Sequence, residues 1–207
     1  MSDLYYTITD AAEGSYTELR SKFLAFAIHV DTIDEAKAIV KDYAKRFFDA
    51  RHVCWAYMVG ADHTQFLSSD NGEPSGTAGK PILGQINSFN LTNVVVIVVR
   101  YFGGIKLGTS GLIAAYREAA REALQAANII ECHEQTNITF TFPYLAMNDV
   151  MKTLKQPPIP GGTDLKILSQ TFDNTCTIAI SIRADHAQTL LTALTNISGL
   201  TLHDTDR

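Results

Sequence analysis

The stretch Val94–Ala119, VVVIVVRYFGGIKLGTSGLIAAYREA, is the part of this 207-residue chain on which the fold turns. Val94 to Val99 run without a polar interruption, as a strand covered on both faces does. Arg100, Tyr101 and Phe102 follow, then Gly103, Gly104 and Gly108, and the glycine-dense turn leads straight into an alanine-rich segment. From Ser110 to Asn128 that segment has a helical period. Leu112, Tyr116, Ala119, Ala120, Ala123, Leu124 and Ala127 share one face, and Arg117, Glu118, Arg121 and Glu122 lie outside it. A buried strand entering a helix through glycines predicts a backbone that comes close to something, often an anion.

Outward from this junction, Tyr5–Thr9 and the run Tyr16–Val30 alternate as strands do. Asp31–Phe48 predicts a helix, with Thr32 and Glu35 as a capping box and Ile33, Ala36, Ile39, Val40, Tyr43 and Phe47 as its apolar stripe. His52–Gly60 and Thr64–Ser69 read as two strands around a turn at Ala61-Asp62. Asp70–Leu83 is too rich in turn residues for a core element, and a short helix is expected from about Gly79 to Phe89. The pattern changes near Glu131–Glu134. Strand 135–144, helix 145–156, a break at Pro157–Gly162, strands 165–172 and 175–182 across Asp173-Asn174, helix 185–197 and strand 199–204 follow in turn. That order, β-α-β-β-α-β, is the ferredoxin-like plait. Two domains are expected, 1–132 and 133–207, in an α+β class.

Composition narrows the function classes. Apolar residues make up 46% and charged residues 19%, ordinary for a chain with a real core. The net charge of −5 confines any nucleic-acid or phosphate site to a local patch. No apolar run is long enough to span a bilayer, so no membrane partner is expected, and MSDLYYTITD lacks the basic start and apolar core of a signal peptide. Cys54, Cys132 and Cys176 are far apart and odd in number, which predicts reduced thiols in a cytoplasmic protein and neither disulfides nor zinc.

Two blocks, SSDNGEPSGTAGKPIL and VVRYFGGIKLGTSGLIAAYREA, resemble the signature blocks of the YigZ/IMPACT family. SKFLAFA (Ser21–Ala27) and HVCWAY (His52–Tyr57) resemble its earlier blocks in the same order, so the likeness covers roughly residues 15–128. The resemblance implies an N-terminal domain of the ribosomal-protein/GHMP-kinase type of α+β fold. It also implies a small plait similar to the last domain of elongation factor G. Eukaryotic members restrain a starvation-sensing kinase by competing for its activator, with help from an extra N-terminal domain. This sequence shows no counterpart of that domain, so the kinase-restraining role is not expected here. For bacterial members the resemblance implies no defined biochemical activity and points to nucleic-acid binding or translation-linked regulation. The first block departs from the family at Asp70-Asn71, where two aspartates are usual, which argues against an obligatory metal.

The candidate site is a cleft between the two blocks. Gly103, Gly104 and Gly108 let amides turn toward an anion, Thr109 and Ser110 begin a helix, Arg100 and Lys106 add charge, and Tyr101 and Phe102 offer rings to bases. The competing reading makes the rings core and the glycines a device for tight packing. In the first block Gly72, Ser75, Gly76 and Thr77 supply small donors, Lys80 a cation and Glu73 an acid or base. There the competing reading is a structural turn, with Thr77 capping the following helix. No cofactor is expected: the P-loop pattern GxxxxGK[ST] is absent, and a kinase reading would rest on fold analogy. His52 and Cys54 share a strand face, where a hydrogen-bonded core histidine beside a packed thiol outweighs a nucleophile pair. The expected function is non-catalytic binding of RNA, the ribosome or another phosphate-bearing ligand, anion binding by backbone donors, and a protein contact through the C-terminal sheet. The alternatives are an enzyme on a small phosphorylated substrate with Glu73 or Asp70 as general base, and a pure protein-interaction module.

Overall fold

The computed structural model describes residues 3–159 and 164–206 and divides into two compact units. One is Tyr5–Cys132; the other is His133–Arg207 together with Met1–Leu4. The Pro160–Gly162 part of the expected break lies outside the described residues.

The first unit is built on a five-stranded antiparallel sheet. Its strands are β2 (Ala12–Glu18), β3 (Ser21–His29), β4 (His52–Val59), β5 (Gln65–Ser69) and β6 (Val94–Tyr101), in the order β2-β3-β6-β4-β5. The apolar run of β6 is central because it is covered twice. Val94, Val96 and Val98 face α2 (Gly79–Ser88) and α3 (Gly108–Ala126), while Val95, Ile97 and Val99 face α1 (Ile33–Arg46). Each such side chain, fully buried, contributes about 1.5–3 kcal/mol. In α1 the Thr32 hydroxyl accepts from the Glu35 N–H at 3.2 Å, and the Glu35 carboxylate reaches back to the Asp31 N–H at 2.8 Å. Outside this sheet, β1 (Leu4–Ile8) pairs with β7 (Ile129–His133).

The run Tyr16–Val30, expected as one strand, is two. Leu19 and Arg20 both take positive φ, 43° and 66°, and turn β2 back onto β3. Neither residue carries the usual glycine or asparagine signal of such a turn, which is why the alternation reads straight through it. Gly103 explains how the turn is held: a Cβ there would collide with the Arg20 backbone.

The second unit runs β8 (Gln135–Pro143), a single turn at Tyr144–Ala146, α4 (Met147–Lys155), β9 (Lys166–Thr171), β10 (Thr175–Arg183), α5 (Ala184–Thr195) and β11 (Thr201–Asp206). The sheet order β11-β8-β10-β9 is that of the ferredoxin-like plait. Ile138, Phe140, Phe142, Ile178, Ile180 and Ile182 point to one side, where Val150 and Leu154 of α4 and Leu190 and Leu194 of α5 cover them. Asp3 is almost sealed in this unit. It accepts from the Arg183 guanidinium at 3.0 and 3.1 Å, and the His133 ring lies 3.0 Å away.

Candidate functional site

Alternation along the strands decides which side chains meet. Arg100 lies on β6 in register with His52 on β4 and Phe23 on β3, and Cys54 follows His52 on the same face. All four therefore lie on the side of α2 and α3, where Tyr116 of α3 descends onto them. The loop after β5 inserts Glu73 between them. Its Oε1 accepts from Arg100 Nη1 at 2.5 Å and from the Tyr116 hydroxyl at 2.8 Å, and its Oε2 is 3.8 Å from His52 Nε2. The Glu73 and Arg100 side chains are 3% and 6% exposed, so this is a sealed ion pair.

Two titrating groups are shaped by the burial. The Cys54 thiol is pushed up to about 12, first by burial and then by the Glu73 and Asp70 charges, against a lowering by the Tyr116 hydroxyl. It stays protonated at neutral pH, 3.0 Å from the Asp70 carbonyl oxygen. Burial and the neighbouring Cys54 and Glu73 raise Tyr116 far above the ordinary phenol.

Above this floor opens a cavity of about 530 Å³ walled by the start of α3, the Phe102 ring and the residues beside Glu73. Glu73, Arg100, Phe102, Lys106, Gly108 and Thr109 of the expected site line it, and so do Arg51, His52, Pro74, Leu107 and Leu112. Helix α3 begins there without a side-chain cap, and Gly108, Thr109 and Ser110 are exposed. Gly104 and Gly108 hold φ of 87° and 72°, which glycine alone adopts cheaply. Arg51 and Lys106 are exposed cations without an ion-pair partner among the described residues.

Several expected residues stand elsewhere. Tyr101, next along β6, turns to the α1 face and donates to Asp49 at 3.0 Å. Arg100 is no free anchor, since Glu73 neutralises it; only its buried Nε lacks a partner. Gly103 serves the β2–β3 turn. Gly76 and Lys80 line a separate hollow with Arg117, and Gly72 and Ser75 are exposed outside the cavity lining. Thr77 is buried and donates to the Pro74 carbonyl at 2.6 Å, so it does not cap α2. Asp70 does that work: Oδ1 accepts from Ala78 and Gly79 N–H at 2.9 and 2.8 Å, and Oδ2 from Gly76 N–H at 2.7 Å. Burial raises its carboxyl, but these bonds together outweigh it and hold it below the usual carboxylate range. Both oxygens of Asp70 are thus taken up by backbone donors. Asn71 instead spends its amide on the Val53 carbonyl at 2.8 Å. No cluster of His, Cys, Asp or Glu fit to hold a metal occurs among the described residues.

Sequence reasoning set His52 and Cys54 aside and counted Tyr116 as apolar stripe. The shared strand face of His52 and Cys54 was the available signal. The arrival of Glu73 from a loop was not legible.

The pairing of these two loops around one sheet has relatives. A model of the Impact N-terminal domain matches residues 19–124. The chain belongs to the IMPACT family. It is 34% identical over 167 residues to the IMPACT family member YigZ of Escherichia coli (strain K12), covering 80% of this chain and 79% of that one. It is 39% identical over 128 residues to the IMPACT family member YvyE of Bacillus subtilis (strain 168), where the match takes in 61% of this chain but only 58% of the relative. A crystal structure described as that of a hypothetical protein superposes with a TM-score of 0.74 at 29% identity, over 100% of this chain and 99% of the other. The α+β fold expected from the sequence is thus shared along the whole chain. No helix among the described residues is long and apolar enough to cross a membrane.

Proposed function

We propose that this IMPACT family member is a regulatory binding protein whose cleft takes RNA or another phosphate-bearing ligand. The observation that carries the reading is the uncapped, exposed start of α3, which opens onto a cavity flanked by Arg51 and Lys106. Free N–H groups and the positive end of a helix dipole suit a phosphate, and two unpaired cations beside them strengthen the site. Phe102, 47% exposed, offers a ring for stacking. The floor favours binding over proton transfer: the Glu73 charge is compensated by Arg100, and Cys54 holds its proton. A setting in translation is the one that the family resemblance implies. On the plait, β8 and β10 turn Thr139, Thr141, Thr177 and Ser181, and no aromatic residue, to the sheet face away from the helices, which fits a protein partner better than RNA.

The test is a salt series of RNA and ribosome association for the wild type and for Arg51→Ala/Lys106→Ala. Phosphate contact predicts a steep salt dependence, with a slope shallower by about two for the double variant. No association of the wild-type protein at low salt overturns the reading.

A further inference from the structure

We infer that the floor of this cleft reads a pair of hydroxyls, and that the ligand is a ribonucleoside 5′-phosphate with a free 2′,3′-cis-diol, either a free nucleotide or the last nucleotide of an RNA. The inference rests on the reading that the start of α3 receives the phosphate, and it adds what lies beneath.

The first observation is an unused carboxylate oxygen. The Glu73 side chain is 3% exposed yet lines the cavity. Oε1 takes both Arg100 and Tyr116, whereas Oε2 accepts no hydrogen bond from the described residues and lies 3.8 Å from His52 Nε2. Oε2 is turned to the cavity by a side chain otherwise sealed, which makes it an acceptor within reach of a ligand's donor.

The second is the orientation of His52. Its Nδ1 lies 2.9 Å from the Asn71 carbonyl oxygen. A carbonyl only accepts, so Nδ1 carries the hydrogen, and in the neutral ring Nε2 is left as an acceptor. Two acceptors, Nε2 and Oε2, then stand side by side with no donor between them. Vicinal hydroxyls supply two donors at close spacing, and a carboxylate facing a ribose hydroxyl is how dinucleotide-binding folds read the sugar. An ammonium would also meet two acceptors, but the exposed cations Arg51 and Lys106 around the same cavity disfavour a cation.

The third is size. About 530 Å³ falls within the roughly 300–1,000 Å³ of small-molecule pockets. Pro74, Phe102, Leu107 and Leu112 give the space an apolar wall on which one base can lie. One nucleotide fits this division of labour, with its phosphate at α3, its base on the wall and its diol at the floor.

The experiment is calorimetric titration of the whole protein with adenosine 5′-monophosphate and with its 2′,3′-dideoxy analogue. In parallel, a short single-stranded RNA ending in a 3′-hydroxyl is compared with the same RNA ending in a 3′-phosphate. The expected result is a loss of at least about tenfold on removing the hydroxyls or blocking the 3′ end. Free nucleotide binding points to the first source, and binding of 3′-hydroxyl RNA alone to the second. His52→Ala, which leaves the Glu73–Arg100 pair intact, should bring the ribo and dideoxy affinities toward parity. Equal binding of the two nucleotides and of the two RNAs by the wild-type protein overturns the diol reading while leaving the phosphate site standing. No binding of any probe overturns both.

Discussion

At the scale of single residues, Glu73 is the side chain on which most depends. It neutralises Arg100, receives the Tyr116 hydroxyl and faces His52. Removing its charge alone leaves a guanidinium sealed without a counter-ion. Glu73→Gln should therefore cost about 3–5 kcal/mol, and pairing it with Arg100→Met should return part of that loss. Urea unfolding of the single and double variants measures both, and an additive double variant would contradict the ion-pair account. Cys54 makes a second prediction. With its thiol pushed up to about 12 and fully buried, it should resist alkylation in the native protein, while the half-buried Cys132 reacts first. Mass spectrometry of peptides after timed labelling gives the order.

At the scale of elements, the loop between β5 and α2 is held by one aspartate. Asp70 gathers three backbone N–H groups and serves as the cap that Ala78, the residue before α2, cannot be. Asp70→Ala should destabilise the first unit by about 2–3 kcal/mol, and Asp70→Asn, which keeps one accepting oxygen, by less. Thermal melts in parallel test the ranking. The same variants should loosen the loop that carries Glu73 and, on the proposed function, weaken anion binding more than their position outside the cavity would suggest.

At the scale of the whole molecule, Asp3 belongs to the second unit, although most of that unit begins at His133. Asp3 is buried there, and although burial raises its carboxyl, Arg183 and His133 hold it well below the usual range. A carboxyl depressed in the folded state stabilises fully above its unfolded value of 3.8 and loses that contribution as pH falls through the folded value. Stability of this unit should thus decline on acidification below about pH 4, with Asp70 adding the same sign in the first unit. Asp3→Asn should lower stability at neutral pH and flatten the acid limb. Denaturation midpoints measured between about pH 2 and pH 7 check both, and an unchanged acid limb in the variant would refute the assignment.

How much of this was legible depends on the range of the interaction. The plait was legible because Ile138, Phe140 and Phe142 alternate on one strand and Ile178, Ile180 and Ile182 on another, and period 2 is a local property. The doubly covered β6 was legible for the same reason, as was the Thr32–Glu35 start of α1. The turn at Leu19-Arg20 was not, because its positive φ values are held by a close approach at Gly103, more than eighty residues away in sequence. Within the site, the sequence marked both glycine blocks, and alternation alone assigns Tyr101 to the face opposite Arg100. The sequence by itself thus determined most of the elements, the class of fold and the family, all carried by patterns within a few residues of one another. Only the tertiary structure decided that Arg100 is neutralised by Glu73, that Asp70 is a cap and that His52 borders the cavity. A buried charge takes its partner from wherever the chain folds back, and no local pattern records that choice.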